Sequence, residues 1–147
     1  MMDQVDRILA QWHAERPDLD VGPMGVFGRL KRLADHLQAE IGRVYAENGL
    51  TFAAFDVLAT LRRAGPPYAL SPSDLVNWTM VTSGTMTNRI DKLVAAGLVE
   101  RSPNPEDGRG FLIGLTPAGM TLIDTAVEAH VKRQSELVAA LTDQERE

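Results

Sequence analysis

Thr82-Ser83-Gly84-Thr85-Met86-Thr87-Asn88-Arg89-Ile90-Asp91-Lys92-Leu93-Val94-Ala95-Ala96-Gly97 reads as one capped amphipathic helix. Thr82 or Ser83 supplies a side-chain oxygen for the first free backbone N–H groups, and Gly97 stands where a left-handed helix stop belongs. Met86, Ile90, Leu93 and Val94 recur at three- and four-residue steps, which commits one face to a core. The opposite face carries Thr85, Asn88, Arg89 and Lys92. Hydroxyls and a carboxamide suit base edges, and two cations suit phosphate or guanine. Any solvated amphipathic helix also has a polar outer face, so the neighbouring segments decide between the two readings.

Downstream, Leu98-Val99-Glu100-Arg101-Ser102 and Phe111-Leu112-Ile113-Gly114-Leu115-Thr116 are short β-prone runs. Between them lies Pro103-Asn104-Pro105-Glu106-Asp107-Gly108-Arg109-Gly110, a tip rich in turn formers, so the segment reads as a hairpin. Upstream, Ser71-Pro72-Ser73-Asp74-Leu75-Val76 has the form of a helix start, with Ser71 as cap and Pro72 in the first turn. Tyr68-Ala69-Leu70 is a candidate third strand. Helix, turn, recognition helix and hairpin in this order predict a mainly α fold with a small antiparallel β wing, a winged helix-turn-helix.

Phe55-Asp56-Val57-Leu58, Leu75, Thr87-Asn88-Arg89, the run Leu93 to Arg101, Asp107 with Arg109, and Leu115-Thr116-Pro117-Ala118-Gly119 together resemble the MarR family of bacterial transcription regulators. Gln11-Trp12 with Glu15-Arg16-Pro17-Asp18 resembles its urate-responsive, PecS-like branch, which carries an added first helix. The resemblance covers about the whole chain, more loosely over the last thirty residues. It implies two recognition helices of a homodimer in successive major grooves of double-stranded DNA, with each wing in a flanking minor groove. Carried over residue by residue, it implies that Ser83, Thr85, Thr87 and Asn88 touch bases or phosphate. Arg109 is then expected in the minor groove, oriented by Asp107. The usual wing of the family has a second basic residue between these two, where this chain has Gly108, so weaker DNA binding is expected. For the ligand the resemblance implies Trp12, Asp56 and Arg89, with His36 as a further lining residue, around a small anionic metabolite of urate-like or polycarboxylate type.

Composition sets limits on these readings. At 147 residues, 44% hydrophobic and 24% charged, the chain fits one ordinary globular protomer. No apolar run approaches the roughly 18 residues of a membrane span. Met1-Met2-Asp3 opens an acidic amphipathic segment rather than a signal peptide, so a cytoplasmic location and no membrane partner are expected. The absence of cysteine excludes disulfides, thiol nucleophiles and cysteine-based oxidant sensing. The net charge of −5 runs against the basic footprint usual for nucleic-acid binding. Between Ser71 and Thr116 four cations (Arg89, Lys92, Arg101, Arg109) face five anions (Asp74, Asp91, Glu100, Glu106, Asp107). Non-specific DNA affinity is therefore expected to be modest and sharply reduced by salt.

The remaining segments read as helices. Met2 to Arg16 places Val5, Ile8, Leu9 and Trp12 at helical steps and stops at Pro17. By spacing alone, Trp12 is a staple of this helix onto the body. Asp18 to Pro23 is a connector. From Met24 to Asn48, Val26, Phe27, Leu30, Leu33, Leu37, Ile41 and Val44 form a steady apolar stripe closed by Gly49, with His36 at the stripe's edge. Phe52, Phe55, Leu58 and Leu61 form the core face of a helix from Thr51 to Ala64. Asp56 stands out there, since a buried unpaired carboxylate costs several kcal/mol. It calls for a hydrogen bond to Thr60, an arginine pair, or a ligand-sensing role such as holding Arg89 in the empty state. Leu75, Val76, Met80 and Trp78 are expected to pack the first helix of the helix-turn-helix. The last helix opens at Thr116, with Leu122, Ile123, Ala126, Val127, His130 and Val131 on its stripe, and continues through Leu137 to Leu141. Thr142-Asp143-Gln144-Glu145 then reads as a capping box. Since that helix has only to Glu147 to run, the C-terminal dimerisation segment is expected to be incomplete. The expected regions are 1–48 for dimerisation and ligand, 51–116 for the winged helix-turn-helix, and 117–147 for dimerisation.

Enzyme readings fail on inventory, because neither a glycine-rich phosphate loop after a strand nor a Ser/His/Asp set in a known motif is present. His13, His36 and His130 lack the i, i+4 spacing of a helical metal site, so neither cofactor nor metal is expected. The alternative to a ligand-responsive repressor is a winged-helix interaction module that does not bind DNA.

Overall fold

The computed structural model describes residues 2–80 and 86–147. Its elements run α1 (Gln4–Glu15), α2 (Gly22–Glu47), α3 (Phe52–Arg63), β1 (Ala69–Leu70), α4 (Pro72–Trp78), α5 (Met86–Ala95), β2 (Val99–Pro103), β3 (Phe111–Leu115), α6 (Pro117–Leu137) and α7 (Asp143–Arg146). The chain divides into two compact units, Met1–Glu40 and Ile41–Glu147.

In the first unit, Asp3 caps α1 and closes a capping box with Asp6. Val5 is the buried residue of α1, and Gly25 and Gly28 of α2 let Leu9 and Val5 approach closely. Arg29 adds a 2.6 Å ion pair to Asp6. Helix α2 begins at Gly22 and takes in Pro23, which the first turn of a helix tolerates because its N–H has no partner there. The first half of the predicted α2 stripe is helical but uncovered, with Val26, Phe27, Leu30 and Leu33 exposed, as are Trp12 and His36, whereas Leu37 and Ile41 are half-buried and Val44 is buried. The expectations of Trp12 as a staple and His36 as a core-edge residue are both corrected.

The second unit holds the dense core. Val57, Leu58 and Leu61 of α3, Leu75 of α4, Ile113 of β3 and Ile123 of α6 have no exposed surface. Thr51 caps α3, Ser71 caps α4 and Thr116 caps α6, with Pro in the first turn of the last two. The predicted core face of α5 is confirmed, since Met86, Ile90 and Leu93 are buried. Gly97 at φ 72° turns the chain out of that helix, its N–H bonded to Val94 O and that of Leu98 to Leu93 O. The wing is a three-stranded antiparallel sheet in the order β1-β3-β2, with Ala69 opposite Gly114 and Arg101 opposite Ile113. Helix α6 starts hard against it: a Cβ on Gly119 would lie 1.9 Å from Leu98 O.

Three packing expectations fail here. Trp78 is 48% exposed and Met80 86% exposed, because α4 ends at Trp78 and meets the core through Leu75 and the half-buried Val76. Phe52, in the first turn of α3, is also exposed. Helix α6 stops at Leu137 rather than running to Leu141; short i→i+3 turns come next, and the Thr142 capping box starts α7 afresh.

Candidate nucleic-acid interface

Helix α5 and the wing are the parts of the second unit built to meet a partner. Thr87, Asn88 and Lys92 are on α5, opposite the buried Met86, Ile90 and Leu93. Ser83 and Thr85, together with the predicted cap at Thr82 or Ser83, lie outside the described residues. At the wing tip Arg109 is exposed, and its backbone N–H donates to Asp107 Oδ1 at 3.1 Å. Asp107 therefore shapes the turn through the main chain, and no ion pair joins the two side chains among the described residues. Asn104 helps in the same way, accepting the Glu106 N–H at 3.0 Å and donating its own N–H to Gly110 O.

The electrostatics are thinner than the sequence count implies. Arg101 is tied to Asp91 in an ion pair and lies 5.6 Å from the Phe111 ring centre. That pair neutralises one anion of α5 while removing a cation from the free surface. Arg62, just behind the wing, pairs with Asp124 at 2.7 Å and lies over the Tyr68 ring. The Asp124 carboxylate holds the Arg62 guanidinium above its ordinary pKa. Among the described residues Lys92 and Arg109 are in no ion pair, so they are the cations of this face free to meet phosphate.

Arg89 behaves differently from its neighbours. Its Nη1 is buried with no hydrogen-bond partner among the described residues. The side chain lines a cavity of about 430 Å³ with Asn88 and Lys92 of α5 and Gly49, Leu50, Thr51 and Ala54 at the start of α3. A guanidinium, an ammonium and a carboxamide thus meet the N-terminus of a twelve-residue helix, an arrangement that favours an anion. A smaller cleft of about 230 Å³ lies under the wing, lined by Pro72, Thr87, Arg101 and Phe111 among others.

Asp56 is not paired with Arg89. It is 7% exposed and accepts the backbone N–H of Met80 at 2.9 Å, while the Thr60 hydroxyl is buried without a partner among the described residues. Both structural partners expected from the sequence, Thr60 and an arginine, give way to a main-chain group 24 residues away. Of the four residues assigned to the ligand, Asp56 and Arg89 belong to the second unit, Trp12 and His36 to the first. Sequence reasoning misses the place of Lys92 and Asn88 in the Arg89 cavity, although each lies within a helical turn of Arg89. Among the described residues no group of three or more His, Cys, Asp or Glu side chains is placed to hold a metal.

A helix with one buried face after a short capped helix, together with a three-stranded wing, defines a winged helix-turn-helix protein. A family model described as MarR family matches residues 48–110. The HTH-type transcriptional regulator PecS of Dickeya dadantii is 41% identical over 143 residues, covering 97% of this chain and 86% of that one. The chain therefore belongs to the MarR family and is a DNA-binding transcription regulator. Among solved structures, BpsR of Bordetella bronchiseptica, described for regulation of its DNA binding by 6-hydroxynicotinic acid, is similar with a TM-score of 0.72 and 30% identity, over 82% of this chain and 84% of that one. A mutant of MarR from E. coli complexed with operator DNA matches with a TM-score of 0.69 and 27% identity, over 91% and 89% of the two chains.

Proposed function

We propose that this regulator is a homodimeric repressor released from a palindromic operator by a small anionic metabolite. The observation that carries this reading is Arg89: a buried guanidinium nitrogen without a partner among the described residues, opening on a cavity beside Lys92 and a helix N-terminus. A buried donor nitrogen without a partner is costly, and an arriving carboxylate or urate-like edge would satisfy it with paired hydrogen bonds. Because Arg89 sits on the helix that also carries Thr87 and Asn88, a ligand drawing on it acts on the DNA-reading element itself. Such a ligand shifts DNA affinity only if it binds the free and DNA-bound states unequally. The protein acts inside the cytoplasm, with Ser83, Thr85, Thr87 and Asn88 on the major groove and Arg109, shaped by Asp107, in the minor groove. Trp12 and His36 enter as further ligand contacts through the family resemblance alone.

The test is a salt titration of binding to the duplex upstream of its own coding sequence, repeated with urate and small polycarboxylates. Binding that falls steeply with salt, is weakened by Arg109→Ala, and is relieved by an anion in the wild type but not in Arg89→Ala is expected. Salt-independent or absent binding to any duplex would favour an interaction module. DNA binding that no anion alters would remove the sensing role, and an anion response unchanged in Arg89→Ala, Asp56→Asn and Trp12→Phe would move the pocket elsewhere.

A further inference from the structure

Helix α3 reaches the segment leading into the recognition helix at two main-chain points. Asp56 accepts the Met80 N–H at 2.9 Å, and the Arg63 guanidinium donates to the Trp78 carbonyl. The two residues are seven apart, two helical turns, and so project from one face of α3. Helix α3 is itself fixed, because Phe55, Val57, Leu58 and Leu61 are buried in the core. The segment it holds has no comparable apolar anchor. Trp78 and Met80 expose their side chains, and α4 buries Leu75 alone. Within that segment Thr79 bonds back to Leu75 O through both its N–H and its hydroxyl, which ends α4 without fixing the next residues.

From this we infer that Asp56 and Arg63 form a two-point backbone clamp that holds the C-terminal end of α4 against α3, making Asp56 a positioning residue for DNA binding. A carboxylate in this place accepts a charge-assisted bond from the Met80 N–H, a main-chain donor next to an exposed side chain. The bond needs an acceptor oxygen rather than a charge, so an amide of the same shape retains it. Helices α4 and α5 both pack against α3, so slack between the end of α4 and α3 changes how the two helices of the motif present Thr87 and Asn88 together. The inference rests on the DNA-binding reading for its consequence, but the clamp can be observed without DNA.

The experiment measures two quantities on wild type, Asp56→Ala and Asp56→Asn. One is exchange of the Met80 amide by NMR; the other is affinity for fluorescein-labelled duplex from upstream of the coding sequence. In Asp56→Ala the Met80 amide should exchange about tenfold faster or more and DNA affinity should fall roughly tenfold, the size expected for losing a buried hydrogen-bond acceptor. In Asp56→Asn both should stay within about threefold of wild type. Equal Met80 exchange in wild type and Asp56→Ala overturns the clamp. Equal loss of affinity in Ala and Asn variants also overturns it, because the charge and not the acceptor would then matter. If the wild type binds no duplex, the DNA reading fails and Met80 exchange alone decides the clamp. If Asp56→Ala does not fold, Arg63→Ala, at an exposed position, should quicken Met80 exchange by releasing Trp78 O; unchanged exchange there counts against the clamp.

Discussion

Residues 41–147 and residues 1–40 use similar apolar periodicities with opposite results. In the C-terminal unit the stripes of α3, α5 and α6 close on one another, and Leu58, Leu61, Ile113 and Ile123 are wholly buried. In the N-terminal unit Val5 and Val21 are the apolar side chains that reach burial, while Phe27 remains 74% exposed on a stripe just as regular. A soluble monomer rarely leaves a contiguous apolar surface of this kind open. The difference teaches that one unit closes its stripes on its own core, whereas the other leaves apolar surface open, the surface on which the proposed homodimer can be tested.

The sharpest way to break the comparison is one substitution made in each unit. In Gly119→Ala the new Cβ meets the backbone oxygen of Leu98, which cannot move without prying α6 off the wing. We expect a loss of about 3 kcal/mol or more and a melting temperature lower by roughly 10 °C. In Gly25→Ala the Cβ meets only the ends of the Leu9 and Arg29 side chains, at 3.0 and 3.1 Å. These can give way, and Ala favours a helix over Gly by about 1 kcal/mol, so the change should be near neutral. Calorimetry of the two variants checks this. A Gly119→Ala protein that melts like wild type would mean that the start of α6 is not seated as described.

The second substitution tests the open stripe itself. Phe27→Ser with Leu30→Ser removes two exposed apolar side chains from α2. If a second copy covers them, each contributes about 1.5–3 kcal/mol to association, so the double variant should shift the dimer equilibrium by roughly two orders of magnitude or more. Sedimentation equilibrium should find the wild type at twice the chain mass and the variant dissociating at micromolar concentration, with helicity retained. An unchanged mass would show that the stripe faces no partner copy.

Legibility in the sequence divides along the same line. The recognition helix, its Gly97 stop, the hairpin and the caps at Ser71, Thr116 and Thr142 are local devices, and local rules locate them. The third strand at Ala69–Leu70 is legible because the chain between α3 and α4 allows little else. Coverage is not local. Period 3.6 marks which residues share a face but not what covers that face, which is why periodicity puts Trp78 and Phe52 in the core and the fold does not. The Asp56 partner is illegible for a related reason, since Met80 is a main-chain donor on another segment and leaves no side-chain signature. Arg89 is marked by residue type and family resemblance. Its buried nitrogen, without a partner among the described residues, is a fact of packing that spacing does not encode.

The smallest effect concerns how closed the C-terminal unit is. His130 of α6 stacks against Tyr45 and Phe55, with ring centres 5.6 and 4.9 Å away, and its Nδ1 lies 3.3 Å from the Tyr45 hydroxyl. Burial among these rings pushes the His130 pKa below its ordinary value, and burial together with the Asp56 charge pushes the Tyr45 phenol up. A histidine whose folded pKa is depressed binds fewer protons in the native state than in the unfolded chain near its ordinary pKa of about 6.5. Stability is then full above that pH and declines as the pH falls through it. The melting temperature should accordingly drop between about pH 7 and pH 5, by only a few degrees because the ring is partly solvated. His130→Phe, which keeps the stack and removes the titration, should flatten that part of the profile. A slope that is equally steep in His130→Phe would assign the pH dependence to groups outside this aromatic cluster.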